Sequence, residues 1–165
     1  MPTTAKTDAI KMLMDDHKAV KALFDDYEKL VENDAEGADR QALATRICTM
    51  LTVHATLEEE LFYPLAREAL GREADLIDEA TVEHATAKDL IAQIEAASSH
   101  ASLYDAKVTV LGEYIQHHVK EEEREIFPKV KKTELDLRLL GGELARRKAQ
   151  LMATTAASRA ATAPA

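Results

Sequence analysis

Six side chains in this sequence have the types and spacing of metal ligands: His17, His54 with Glu58 four residues on, His84, and His118 with Glu122 four residues on. The set is doubled and keeps register. His54 and His118, Glu58 and Glu122, and Pro64 and Pro128 are each separated by 64 residues, while His17 and His84 are separated by 67. A histidine and a glutamate one helical turn apart present two donors to the same point. Two helical hairpins, each bringing three such ligands, would build a binuclear centre. Imidazole and carboxylate donors suit iron or manganese and also accept zinc, whereas a chain whose single cysteine is Cys48 disfavours iron–sulfur and thiolate zinc sites. Iron is the favoured ion.

Long helices are needed to carry these positions. The chain of 165 residues has only 5 Gly and 4 Pro, no Trp, and long Ala-, Leu-, Glu- and Lys-rich stretches without a turn signal, which point to an all-α fold in one domain. Breaks at residues 33–37, at Gly71 and at residues 98–101 divide it into four long helices. The expected architecture is an antiparallel up-down four-helix bundle. Ser102 with Asp105 and Thr133 with Asp136 have the form of N-terminal caps, so the fourth helix is expected to begin near 102 and a short fifth near 134. Pro64 and Pro128 should kink or end helices two and four, because each removes an amide donor and crowds the carbonyl one turn back. The expected domain covers residues 1–152, with a core over about 8–132, an extra helix over about 134–152, and a disordered Ala/Thr-rich tail over 153–165.

Each candidate ligand falls inside an apolar stripe. Helix one runs Ile10, Leu13, Met14, His17, Val20, Phe24, Tyr27 and Val31; helix two runs Leu43, Ile47, Met50, Leu51, His54, Glu58, Leu61 and Leu65. Helix three runs Ile77, Ala80, His84, Ala87 and Ile91, and helix four runs Leu111, Ile115, His118, Glu122 and Ile126. Buried carboxylates are costly unless a cation compensates them, and one metal centre accounts for all six intrusions together. Two octahedral ions offer twelve positions; four imidazoles and two bridging carboxylates fill eight, and a bridging oxide or hydroxide two more. Two positions remain for water, another side chain or a small molecule, and an open position is where chemistry can occur.

The pattern H…HxxxE…H…HxxxE resembles that of the haemerythrin-like HHE cation-binding domains, over about residues 8–132. Both histidine-glutamate pairs lead into an acidic and aromatic run closed by proline, His54 to Pro64 and His118 to Pro128, and both look like the family signature. The resemblance implies a non-haem di-iron centre with His17, His54, His84 and His118 as terminal ligands and Glu58 and Glu122 as bridges. One departure stands out. Haemerythrins that carry oxygen reversibly have five histidines, two of them closely spaced on helix three, where this sequence has only His84. Water could take the fifth position, or Tyr114, one turn before His118; Tyr114 also reads as a half-buried core aromatic.

Other features have plainer readings. His117 and Glu121 repeat the spacing one residue early, but they lie off the apolar stripe and out of the 64-residue register. Glu59, Glu60, Glu121, Glu123 and Glu125 read as solvating residues, with Glu59 or Glu123 able to hydrogen-bond a ligand. Cys48 reads as a packing residue, His100 as a loop residue, and Arg146, Arg147 and Lys148 as complements to a helix dipole. The net charge of −9 disfavours nucleic acid as a partner, and no apolar run reaches the ~20 residues needed to cross a bilayer. With no signal-peptide pattern at the N-terminus, a reducing cytoplasm is the expected location.

Two classes of function follow from the sequence. One is a di-iron protein that reacts with hydrogen peroxide, oxygen or nitric oxide, with catalase-like turnover as its enzymatic form and an unspecified electron donor. The other is a non-enzymatic binding module, which would carry oxygen or nitric oxide reversibly, store iron, or sense iron or redox state.

Overall fold

The computed structural model describes residues 8–162, and among these the chain is helical with no strand. Four long elements form an up-down bundle: α1 (Ala9–Glu32), α2 (Gly37–Leu57) continuing into α3 (Tyr63–Leu70), α4 (Asp75–Ala96), and α5 (Tyr104–Glu121) continuing into α6 (Phe127–Val130). A further helix, α7 (Leu137–Thr162), lies across α1 and α2. Asp8 caps α1, its carboxylate accepting from the Ile10 and Lys11 amides at 2.9 and 3.1 Å. Gly71, at φ 56° and ψ −106°, adopts a positive-φ conformation that suits glycine and ends α3.

The core is divided by its own polar layer. A lower cluster gathers Ile10, Leu13, Leu57, Phe62, Ile77 and Phe127, and an upper cluster gathers Val20, Ile47, Leu51, Ile91, Leu111 and Ile115. In every bundle helix the candidate ligand stands between the two. His17 follows Leu13 and precedes Val20, and His84 lies between Ala80 and Ala87. Cys48 is buried in the upper cluster, and burial pushes its thiol up to about 12.

The two prolines act through a defined backbone device. Glu58–Phe62 and Glu122–Ile126 are single π-helical turns, in which the Tyr63 and Phe127 amides donate to the Glu58 and Glu122 carbonyls five residues back. Pro64 and Pro128 follow in the next helical turns, where an uninterrupted α-helix would have crowded each ring against the carbonyl four residues earlier. The extra residue in each π-turn advances the buried face. Phe62, Tyr63 and Ala66 turn inward, while Leu61 and Leu65, expected in the core from a straight helical phase, are only half-buried.

Three boundaries differ from the sequence expectation. Helix α5 begins at Tyr104 rather than near 102, because Leu103 is left-handed at φ 69° and the Asp105 carboxylate is taken by the Tyr27 hydroxyl at 2.7 Å and by Arg40. Helix α7 begins at Leu137, with Asp136 accepting from the Arg138 and Leu139 amides. Neither short nor ended at 152, α7 runs to Thr162, so residues 153–162 of the expected disordered tail are helical and residues 163–165 lie outside the described residues. The Ala-rich composition favours helix, and Arg159 holds the end to α2 by donating to the Thr49 hydroxyl. Arg147 and Lys148 are therefore mid-helix and paired, with Glu60 and Asp16 respectively.

Leu144 of α7 is fully buried in the lower cluster. Leu144→Ala should cost about 2–5 kcal/mol in urea unfolding. Met152→Ala on the exposed face of the same helix should stay within about 0.5 kcal/mol.

Candidate metal centre

The six side chains predicted from spacing converge in the polar layer. His17 Nε2 lies 3.2 Å from His54 Nε2 and 3.2 Å from Glu122 Oε2. On the other side, His84 Nε2 lies 3.1 Å from His118 Nε2 and 3.2 Å from Glu58 Oε2, while Glu58 Oε1 lies 3.2 Å from His54 Nε2. The donors form two groups, His17, His54, Glu58 and Glu122 in one and Glu58, His84 and His118 in the other, with Glu58 common to both. Such spacings are those of neighbouring ligands on one cation, which stand about 3 Å apart when each is about 2.1 Å from the ion.

Burial makes the arrangement costly without a cation. Glu58 and Glu122 are 0% exposed, and Glu58 Oε1, Glu58 Oε2 and Glu122 Oε2 accept no hydrogen bond, since the nearby imidazole contacts lack hydrogen-bond geometry. Three orphaned carboxylate oxygens at one point in a core are the donor set that a cation satisfies. The residues present fit such an ion.

The outward nitrogens complete the pattern. Each of the four histidines turns Nδ1 to a carboxylate: His17 to Glu123 at 2.9 Å, His54 to Asp16 at 3.2 Å, His84 to Glu59 at 3.0 Å and His118 to Glu83 at 2.5 Å. A carboxylate accepting from Nδ1–H fixes the tautomer and ring plane and aims the Nε2 lone pair inward. Glu59 and Glu123 are the partners suggested by the sequence; Asp16 and Glu83 are additional. Their signal was local. Asp16 precedes His17 but serves His54, and Glu83 precedes His84 but serves His118, so each hairpin repeats one acid-histidine dipeptide and one adjacent acidic pair.

Two carboxylates are themselves held by cations, Asp16 by Lys148 and Glu59 by Lys88. Burial raises the Asp16 pKa, but His54 and Lys148 outweigh it and leave the carboxyl below its usual range.

The tyrosine at the centre is Tyr63, not Tyr114. Tyr114 is half-buried against the upper cluster, because Leu111 and Ile115 fill the inward face at that turn of α5. Tyr63 is swung inward by the π-turn before it, and its hydroxyl donates to Glu122 Oε1 at 2.7 Å and lies 3.2 Å from His84 Nε2. Its ring stacks on His84, as that of Phe127 stacks on His17. Tyr63 and Phe127 are 64 residues apart, so the pseudo-twofold centre is broken by one hydroxyl.

A bundle that sets two buried carboxylates among four oriented imidazoles is, by class, a cation-binding helical protein. Residues 8–130 match the Hemerythrin HHE cation binding domain, and the chain belongs to that family. A crystal structure of a Hemerythrin HHE cation binding domain-containing protein from Mycobacterium kansasii is similar at TM-score 0.71 and 25% identity, covering 90% of this chain and 89% of that one. A curated DNA nickase of Nostoc sp. (strain PCC 7120 / SAG 25.82 / UTEX 2576) is 33% identical over 124 residues, 75% of this chain. The chain spans about a third of that relative's length, 33%. Among the described residues no helix is long and apolar enough to cross a membrane.

Charge in the metal-free centre sets a pH dependence. Burial opposes protonation of His54 and His118, but Glu58 and Asp16 push the first up to about 10, and Glu122 and Glu83 push the second up to about 9. Burial likewise opposes ionisation of Glu58, yet His54 and His84 hold it well below the usual carboxylate range. Raised histidines stabilise the metal-free fold fully below their unfolded value of about 6.5, and that contribution is lost as pH rises through 9 to 10. Thermal unfolding of chelated protein should show this alkaline loss. Cation loading should remove it and release about two protons per chain at pH 7 in a pH-stat. Loading without proton release would contradict the assignment of His54 and His118 as the groups displaced.

Proposed function

We propose that the centre holds two iron ions, with His17 and His54 on one, His84 and His118 on the other, and Glu58 and Glu122 shared between them. The chain would use them to react with small oxygen or nitrogen species, hydrogen peroxide foremost. Iron there would supply one-electron redox chemistry and Lewis acidity. The roles of the protein's own groups follow from their contacts. Asp16, Glu59, Glu83 and Glu123 hold the four rings in one tautomer and orientation.

Access selects for size and polarity. A cavity of about 30 Å³ adjoins the four histidines and is walled by Val20, Leu51, Ala87, Ile91 and Ile115, which suits a molecule of two to four atoms and disfavours ions. A cleft of about 220 Å³ between α1 and α5, lined by Phe24, Gly112 and Val119, reaches His17 from solvent.

The observation that carries the peroxide reading is Tyr63. A reaction that cleaves an O–O bond consumes protons, and Tyr63 places a hydroxyl on Glu122 and beside His84, at the edge of the centre. Burial, with Glu58 and Glu122 beside it, pushes the phenol well above its usual range, so it stays a donor. Peroxide disproportionation also needs no separate electron donor, since one molecule is oxidised to oxygen while another is reduced to water. The apolar cavity favours the alternative, reversible binding of oxygen or nitric oxide without turnover.

Protein from iron-replete cells should contain about two irons per chain and evolve oxygen from peroxide. Tyr63→Phe should keep the iron and lower turnover by about 100-fold. A stable, reversible oxygen or nitrosyl spectrum with no oxygen evolution would replace the peroxide reading by the binding one. Full activity in Tyr63→Phe would remove Tyr63 from the chemistry.

A further inference from the structure

The shifted pair His117 and Glu121 is not absorbed by the buried centre. His117 lies on the outer side of α5, its Nε2 3.2 Å from Glu121 Oε1 and 3.7 Å from Glu83 Oε1 on α4. One ligand atom from each of these three residues lies within 4.8 Å of the others. Glu83 belongs to both worlds, because its other oxygen accepts from His118 Nδ1 at 2.5 Å.

A cavity of about 50 Å³ opens beside this triad. Glu79, Glu83, Glu121 and Glu125 line it, and the buried His118 and Glu122 also face it. Glu122 is fully buried and its Oε2 has no hydrogen-bond partner, so the inner end of an acidic cavity carries an unsatisfied anionic donor. Of the other acidic groups around the centre, Asp16 is met by Lys148, Glu59 by Lys88 and Glu60 by Arg147, while Glu123 contacts His17. Among the described residues no Lys or Arg pairs with Glu79, Glu83, Glu121 or Glu125. On this face four carboxylates stand together without a Lys or Arg partner, beside Leu76, Ala80 and Ile126 of the same cavity.

We propose that His117, Glu121 and Glu83 form an outer, weaker divalent-cation site that loads the buried centre through the cavity lined by Glu79 and Glu125. One imidazole and two carboxylates leave much of a divalent ion's shell to water, so the ion is captured hydrated and not trapped. The four carboxylates raise its local concentration at the mouth, as an acidic cleft does for any cation. Glu83 then spans the two positions, one oxygen outside and one on an inner ligand. The loading role rests on the reading that the buried centre takes metal; the outer site itself does not.

The test uses the metal-free full chain titrated anaerobically with Co2+, comparing wild type with His117→Ala/Glu121→Gln and with the exposed control Glu113→Gln. Wild type should bind tight equivalents at the centre plus one weaker equivalent. The double variant should lose the weaker one, keep the tight ones and load about tenfold more slowly. The control should match wild type. Both substituted side chains are surface groups, and unchanged helical circular dichroism verifies the fold. A double variant that keeps the weaker equivalent and the wild-type loading rate overturns the proposal. Absence of tight equivalents from wild type would instead overturn the metal reading of the buried centre, while the weaker equivalent and its loss in the variant would still report on the outer site.

Discussion

Two fully buried carboxylates, Glu58 with neither oxygen partnered and Glu122 with one oxygen held by Tyr63 and the other unpartnered, are the constraint around which this bundle is built. An ionised carboxylate in a helical core costs several kcal/mol unless its charge is met there, and here two of them meet among four imidazoles. In the metal-free chain, protons on His54 and His118 supply that charge, which is why both are held far above the usual histidine range. A cation supplies it better. Protons and metal thus compete for the same inward nitrogens, and the metal-free fold is a protonated stand-in for the loaded one.

Support for that layer extends outward in shells of alternating charge. Behind each inward Nε2 stands an Nδ1–carboxylate contact, and behind two of those carboxylates stands a lysine. One of these lysines, Lys148, belongs to α7, beyond the residues that match the family domain. Helix α7 therefore does more than cover apolar surface, because it carries the cation that holds the carboxylate that orients His54. The two halves are near copies, yet Tyr63 and Phe127 make them chemically unequal, and the proposed reactivity depends on that single hydroxyl.

Much of this was legible in the sequence, for a physical reason. Ligands must occur at fixed helical phase, so His17, His54, Glu58, His84, His118 and Glu122 appear as polar interruptions of apolar stripes, and internal duplication shows them twice. His117 and Glu121 were separable from His118 and Glu122 on the same ground. What was not legible depended on departures from straight helical phase or on partners across the bundle. The π-turns shifted the buried face by one residue, hiding Tyr63 and making Tyr114 seem the nearer tyrosine. Asp16 and Glu83 each sit beside one histidine in sequence but serve another on a neighbouring helix, a pairing that helical phase along one helix does not report. The Ala-rich end of α7 read as a coreless tail because it has no apolar stripe of its own, and its anchor, Arg159, meets a threonine hydroxyl on α2 that only the fold brings near.

Anomalous diffraction at the iron edge is the most direct test of the two-iron occupancy proposed for this layer, with Glu58 and Glu122 shared between the ions. Crystals of protein from iron-replete cells should show two anomalous peaks, one beside His17 and His54 and the other beside His84 and His118, with Glu58 and Glu122 between them. A single peak, or none within the polar layer, would contradict the account.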